Sequence, residues 1–477
     1  MDRPSQHARH EAQGLRAHRQ RTQRMMFFQV VLFFSVLYIV TFVAWILPLR
    51  PSFSDVEKRE LTAFPSFEWS ALLDGSYFDD INTWFADTFP FREGLITANG
   101  YLHSLYGVAG TEVHGNVEQG DEIPDTPPVP GDLTPSDMDS TVAAGGEEVD
   151  SSSDTSSEEA VSEPEEEDLE GVDTQTLGAV LIVGDSAYEY YNFVQSAADM
   201  YSAAINRAAS QLNGKASVYD MIIPTSMDIT LPSSVRSGIS NTSDQKKAIE
   251  YMSGSMSSLV NSVEIFDLLK AKRNEYIYFR TDHHWTALGA YYAYEEFAKV
   301  KGITPTPLSD FSLVEYPGFI GSFYGETQKN PALASNPDVV QAYIPKDTNK
   351  MSVTDKSGET NEAYIVTNVS TWAASSKYSA FISGDNPYSV IVNDAIADDS
   401  TCVVVKESFG NAFVPFLVSN YHTVHVIDYR DFYKLKQQTL TQFVEGLDSQ
   451  NIDVLFLNNI SATRNKSLMQ SITTLVG

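Results

Sequence analysis

Within YIYFRTDHHWTALGAYYAYEEF, residues 276–297, one carboxylate and two imidazoles follow one another as Asp282, His283 and His284. Side chains of an extended segment alternate with period 2, so Asp282 and His284 point to one side and His283 to the other. That pairing suits a histidine base whose tautomer is fixed by a carboxylate. A hydroxyl for such a base to act on is offered by Ser408 in VVVKESFGNAFVPFLVSN (403–420), where an apolar strand runs into a turn and a helical stretch from Asn411. At the N-terminal end of a helix, free backbone N–H groups and the helix dipole can stabilise an oxyanion. Gly410 allows close backbone approach there. Serine is also an excellent N-cap, and for Ser408 taken alone that is the commoner role.

The same cluster could in principle ligate a metal. Asp282, His283 and His284 are adjacent rather than spaced as in a helical HExxH site, and adjacent histidines in an extended segment diverge. His103, His114 and His422 show no ligand-like spacing, and no metal is expected. Cys402 is the single cysteine, which excludes an intramolecular disulfide framework and multi-cysteine clusters. It lies inside the apolar strand before Ser408 and reads as a small buried hydrophobe.

The elements that must hold these residues alternate between strand and helix. LGAVLIVG (177–184), ASVYDMIIPT (216–225), residues 263–266, STCVVVKES (400–408), TVHVIDY (423–429) and IDVLFLNN (452–459) read as apolar strands. Helical periodicity covers 192–212, 244–261 and 286–301. Such alternation predicts a parallel sheet with helices on both faces, whose functional residues gather where strands end and helices begin.

Composition sets the wider frame. Acidic residues number 63 against 32 basic ones, for a net charge of −31. A nucleic-acid partner needs a basic surface, so none is expected. Twenty of the acidic residues fall between Glu118 and Asp173. Residues 115–176 hold no aromatic residue and are expected to form a disordered acidic insert. Residues 27–49 carry no charge and are long enough to span a bilayer. With six arginines upstream, the positive-inside rule predicts a basic cytoplasmic tail (1–26), a single transmembrane helix (27–49) and an extracellular remainder at the cell membrane. Residues 50–114 are expected to form a juxtamembrane helical segment, with apolar residues at helical spacing over 78–89 and a turn at 89–92. The catalytic domain is expected over 177–477.

The run Thr281-Asp282-His283-His284-Trp285, with Tyr278-Phe279-Arg280 before it and Leu288-Gly289-Ala290-Tyr291-Tyr292 after it, resembles the signature of the DHHW protein family. That family resembles the SGNH-like domains of alginate-type polysaccharide O-acetyltransferases. The likeness extends from FSDVEKREL and DTFPFREGLI through IIPTS, GFIGSFYG and FISGDNP to FLNN. It implies an SGNH-hydrolase-like, flavodoxin-like α/β fold and an Asp-x-His-Trp motif that precedes the nucleophile in the chain. Asp282, His284 and Trp285 take the motif positions and Ser408 the serine position. Arg280, His283, Gly410 and Asn411 are then expected to bind substrate or support the site. Gly184-Asp185-Ser186 mimics the nucleophile block of ordinary SGNH hydrolases, but no DxxH block follows near the C-terminus, so Ser186 is expected to be non-catalytic.

The resemblance implies transfer of an acyl group, in the first instance acetyl, to a secreted or cell-surface polysaccharide. No cofactor is implied beyond an acyl donor supplied by a partner, expected to be a multi-pass membrane O-acyltransferase. A carbohydrate esterase with the same triad and a non-catalytic scaffold of an export complex are the alternatives.

Overall fold

A computed structural model describes residues 178–477 without interruption, together with 112–130, 76–89, 61–67 and separate positions between 28 and 72. The chain divides into two compact units, residues 1–98 and 99–477. In the first, the helical spacing becomes the helix Ser76–Asp87. The Arg50 guanidinium lies 4.1 Å from the centroid of the Trp84 ring and donates to Thr88 Oγ1 at 2.9 Å. The turn expected at 89–92 falls almost wholly outside the described residues.

The single-pass topology expected from residues 27–49 requires correction. Among the described residues no helix is long and apolar enough to cross a membrane. Only five positions of that run are described. An uncharged run meets the compositional condition for a span without establishing a continuous helix, and the cell-membrane placement of tail and domain drawn from it is withdrawn.

The second unit is built on an eight-stranded mixed sheet. Its strands in chain order are β1 (Ser217–Ile223), β2 (Val260–Ser262), β3 (Lys350–Thr354), β4 (Thr360–Tyr364), β5 (Tyr388–Val392), β6 (Thr401–Lys406), β7 (Thr423–Asp428) and β8 (Ile452–Asn459). In space they run β4-β3-β5-β7-β6-β8-β1-β2. The pairs from β7 to β2 are parallel, as the strand and helix alternation predicts. The pairs linking β4, β3, β5 and β7 are antiparallel, which the expectation of a parallel sheet omitted.

Both faces of the parallel half are buried because successive side chains leave opposite faces. Cys402 and Val404 of β6, with Leu455 and Leu457 of β8, join a core that includes Ala290, Tyr294 and Phe297 of helix α3 (Ala287–Lys301). Val403, Val405, Val454 and Phe456 face the other core. It holds residues of α1 (Gln195–Gln211), α2 (Gln245–Gly254) and α4 (Lys466–Val476).

LGAVLIVG does not join this sheet. Its strand, Val180–Val183, pairs antiparallel with Ser186–Glu189 on one side and Glu112–His114 on the other. Gly184, at φ +66°, takes the chain through a tight turn instead of into a crossover helix. The strands Ser312–Phe319 and Asp338–Ile344 form a further antiparallel pair.

The acidic stretch also departs from expectation at its start. Residues 116–130 are described, without helix or strand, and Ile123 is buried in the core against α1 and α2. Asp121 N–H donates to Phe193 O at 2.7 Å, and Lys247 Nζ to Asp125 Oδ1 at 2.8 Å. Residues 131–177 lie outside the described residues.

Candidate active site

Strand β6 delivers Glu407 and Ser408 to the carboxyl edge of the sheet. The chain then turns through a 3-10 helix, Ser408–Ala412, and a short helix, Val414–Leu417, with Pro415 in its first turn. The cap of this turn is Glu407, not Ser408. Glu407 Oε2 accepts from Phe409 N–H at 3.1 Å, and Oε1 accepts from Asn459 N–H, at the end of β8, at 2.9 Å. The capping role proper to a serine is thereby taken, and the Ser408 hydroxyl lies 3.2 Å from the same Glu407 Oε2. The same geometry corrects the expected oxyanion donors. Phe409 N–H is held by the Glu407 side chain, and Gly410 N–H by the Glu407 carbonyl at 3.0 Å. Gly410 is required because a Cβ there would stand 2.6 Å from Cβ of the buried Lys406.

The second segment folds as a tight loop rather than an extended strand. Tyr278 and Trp285 form an isolated antiparallel bridge, and Thr286 N–H donates to Ile277 O at 3.0 Å. Thr286 then caps α3, its Oγ1 accepting from Gly289 N–H at 3.4 Å. Inside the loop, Asp282 Oδ1 lies 2.6 Å from His284 Nδ1 and also accepts from the His284 backbone N–H at 3.0 Å. His284 Nε2 lies 2.8 Å from Ser408 Oγ. All three residues are buried. With Nδ1 donating to Asp282, Nε2 is left as the acceptor for the serine proton.

The surroundings favour an ionised Asp282. Burial pushes its carboxyl up, but His284 and His283, with hydrogen bonds from His284 and the Ser322 N–H, outweigh burial and hold it below the usual carboxylate range. Ser322 N–H reaches Asp282 Oδ2 at 2.9 Å. Gly321 lets this happen, since a Cβ at that position would lie 2.2 Å from the Asp282 side chain. His283 does not point away as strict alternation requires. The loop turns its ring to 3.9 Å from that of His284, with Nδ1 2.7 Å from Ser322 Oγ.

The remaining expected residues serve as supports. Trp285 Nε1–H donates to Phe409 O at 2.9 Å, tying the histidine loop to the serine turn. Arg280 reaches Asp338 at 3.3 Å and the carbonyls of Asn336 and Pro337. Asn411 Nδ2 donates to Asp385 Oδ1 at 2.8 Å. Asp385 belongs with Lys406, Asp428 and Arg430 to an ionic cluster behind the turn. Ser186 sits in the hairpin after Gly184, its hydroxyl 3.3 Å from Asp185 Oδ1, and is not brought to an imidazole.

Several supports escaped the sequence reading. Asp338, fully buried, accepts from Tyr276 OH at 2.6 Å, from Thr281 N–H at 2.8 Å and from Thr281 Oγ1 at 2.7 Å, and it fixes the loop before Asp282. Tyr378 stacks on His284 and donates to Ser408 O at 3.0 Å. No local pattern announces either residue, because each acts across more than 25 positions of sequence. Gly321 and Ser322 lie within GFIGSFYG, a segment the resemblance had marked.

One ligand atom each from Asp282, His283 and His284 falls within 4.8 Å of the others, a spacing that could hold a cation. Asp282 Oδ1 and both ring nitrogens of His284 are, however, already paired along the line to Ser408.

Fold and site together define a mixed α/β protein with a buried Ser–His–Asp hydrogen-bonded relay at the carboxyl edge of its sheet. The chain belongs to the DHHW protein family, whose profile matches residues 57–427. Among solved structures it is similar to a DHHW family protein from Eubacterium siraeum, at 25% identity and a TM-score of 0.54, covering 64% of this chain and 96% of that one. It is also similar to Bacillus cereus PatB1, solved with a sulfonyl adduct, at 19% identity and a TM-score of 0.50, covering 61% and 97%. The O-acetyltransferase domain of Pseudomonas putida AlgJ aligns at 11% identity and a TM-score of 0.34, over 62% and 99%. No curated protein matches the chain.

Proposed function

We propose that the protein is an O-acyltransferase, acetyl being the simplest group, that modifies a polysaccharide through an acyl-enzyme on Ser408. The carrying observation is the unbroken line from Asp282 through His284 to Ser408, with steps of 2.6 and 2.8 Å. A serine hydroxyl attacks an acyl carbonyl only when a base takes its proton, and this line supplies the base and its orienting carboxylate.

In the first half-reaction, Ser408 Oγ bonds to the acyl carbon as its proton passes to His284 Nε2. The donor's leaving group departs with that proton. In the second, a sugar hydroxyl gives its proton to His284 and its oxygen attacks the acyl carbon, releasing Ser408 with its proton restored. Asp282 remains ionised throughout and stabilises the imidazolium. The acyl donor is delivered by a partner; the family resemblance supports a multi-pass membrane O-acyltransferase in that role. Trp285 and Tyr378 hold the serine turn and the histidine loop in register, and Arg280, His283, Gly410 and Asn411 support them.

The test is incubation with an acyl ester donor and glycan oligomers, followed by intact and peptide mass spectrometry. Acylated oligomers and an acyl mark on the Ser408 peptide, both absent from Ser408→Ala, are expected. Acylation at Ser186, or transfer that survives Ser408→Ala, overturns the assignment. Release of free acid with no acylated oligomer would make the protein an esterase.

A further inference from the structure

A cavity of about 500 Å³ opens in the second unit away from Ser408, lined among others by Asn116, Glu118, Asn192, Glu326, Arg464 and Lys466. The volume lies within the range of small-ligand sites. Its walls are unusual for a site of that size. Amides and charged groups dominate, the apolar side chains are limited to Ala179, Val180 and Val194, and the one ring in the walls is the His114 imidazole, with no Phe, Tyr or Trp. Glu118 and Glu326 face Lys466 and Arg464, and the Arg464 charge is already matched by the buried Glu189, which leaves the walls slightly negative. Walls rich in hydrogen-bond donors and acceptors and slightly negative suit a ligand that is rich in hydroxyls and brings no negative charge of its own. An anionic polymer would gain nothing there from charge.

The cavity is joined to the relay by two pieces of structure. The short helix Ser322–Glu326 carries at its start Ser322, which bonds Asp282 and His283, and at its end Glu326, which lines the cavity. Four residues of helix amount to about 6 Å at 1.5 Å per residue. On the other side Arg464, in the cavity wall, reaches Glu189 at 3.4 Å, and Glu189 accepts from Ser461 Oγ at 3.0 Å. Ser461 N–H bonds Asn459 Oδ1, and Asn459 N–H bonds Glu407, the neighbour of Ser408. The residues 112–130, which close one wall, are held in place by Phe193 and Lys247.

We infer that this cavity is a subsite for an uncharged, hydroxyl-rich segment of the acceptor glycan, gripping sugar units beyond the one that is acylated. The inference rests on the proposed function for the identity of the acceptor. Its occupancy is nevertheless a binding property that can be measured without turnover.

The experiment uses the full chain carrying Ser408→Ala on an array of neutral and uronate oligosaccharides of four to eight units. Asn116→Trp, which fills the cavity, and Lys466→Ala are then added singly; neither side chain is buried, so neither is expected to disturb the core. Saturable binding to neutral oligomers, weakened at least tenfold by Asn116→Trp and more modestly by Lys466→Ala, is expected. Binding restricted to uronates, binding indifferent to both substitutions, or no binding to any neutral oligomer overturns the inference. Covalent labelling of Ser408 by a sulfonyl fluoride in the otherwise unaltered chain is measured in parallel. Labelling without cavity binding removes the subsite alone, whereas cavity binding without labelling removes the acyl-enzyme reading and leaves a glycan-binding site.

Discussion

The phenol ring of Tyr378 lies flat on the imidazole of His284, with centroids 3.9 Å apart and planes 15° apart, while its hydroxyl donates to the Ser408 carbonyl at 3.0 Å. One side chain thus fixes both the face of the base and the backbone of the nucleophile. Tyr378→Phe keeps the stack and loses a hydrogen bond of about 1 kcal/mol, so acyl transfer should fall only several-fold. Tyr378→Ala loses both contacts and should cost at least tenfold more in kcat than the phenylalanine variant. Equal losses in the two variants would show that the ring contributes nothing.

Relay members act as a unit, so their removals should not add. Ser408→Ala, His284→Ala and the double variant are expected to give nearly the same residual transfer rate. His283→Gln should retain most activity, its ring being bonded to Ser322 rather than placed in the line to Ser408. A double variant slower than either single one by the product of their effects would contradict the shared mechanism.

Gly321→Ala puts a methyl carbon where Asp282 already stands, 2.2 Å from its side chain. The expected outcome is a displaced Asp282 and at least a tenfold loss of kcat, read from acyl transfer on variants whose far-ultraviolet circular dichroism is unchanged. Full activity would mean that the loop can shift without disturbing the pairing of Asp282 and His284.

Above the usual carboxylate range, a pH effect on stability should come from the sheet interior rather than from Asp282, whose lowered carboxyl costs stability only on further acidification. Burial pushes the Asp220 carboxyl up to about 7, a rise opposed by the hydrogen bond from Tyr201 and reinforced by Glu264. The unfolded chain releases this proton near 3.8, the ordinary value. Between those two values the unfolded state binds fewer protons than the folded one, so this residue's contribution makes stability fall as pH rises. The slope reaches at most about 1.4 kcal/mol per pH unit. Burial also pushes the His425 imidazole down to about 4, which raises stability with pH over part of the same window. Urea denaturation should therefore show a more negative slope of stability against pH in the parent than in Asp220→Asn; parallel profiles would refute the assignment.

Ile123 tests whether the start of the acidic stretch belongs to the folded unit. It is 7% exposed and packed in the core with α1 and α2 residues. Ile123→Ala should therefore cost about 2 to 5 kcal/mol in chemical denaturation, as for other buried large-to-small changes. A change below about 0.5 kcal/mol would place the residue outside the core.

What the amino-acid sequence reveals here depends on how far its signals reach. Strands β6, β7 and β8 were legible because a parallel strand buried on both faces is an unbroken apolar run, as in TCVVVK and IDVLFLNN. Strands β3 and β4 were missed for the opposite reason. KMSVT and TNEAY lie at an edge with exposed polar positions, and their pairing follows from a hairpin rather than from apolar content. Asp282, His284 and Ser408 were found through residue type, local spacing and the resemblance. Asp338, Tyr378 and Glu407 were not, since a buried aspartate, tyrosine or glutamate reveals its purpose only once the partner from a distant segment is beside it.

The place of β8 in the sheet bears on how the protein is made. Residues 452–459 lie between β6 and β1, and Asp453 pairs with Ser217 across 236 positions of chain. On the ribosome, β1 must therefore wait for more than two hundred further residues before gaining its inner neighbour. The anchorage of Glu407 to Asn459 likewise waits for β8, a further 52 residues along the chain. Pairings of such separation fold slowly. Release of the nascent chain before residue 452 should accordingly yield a product that is open along the seam beside Ser408, susceptible to proteases and unable to assemble a competent nucleophile turn, although Asp282, His284 and Ser408 have all been synthesised.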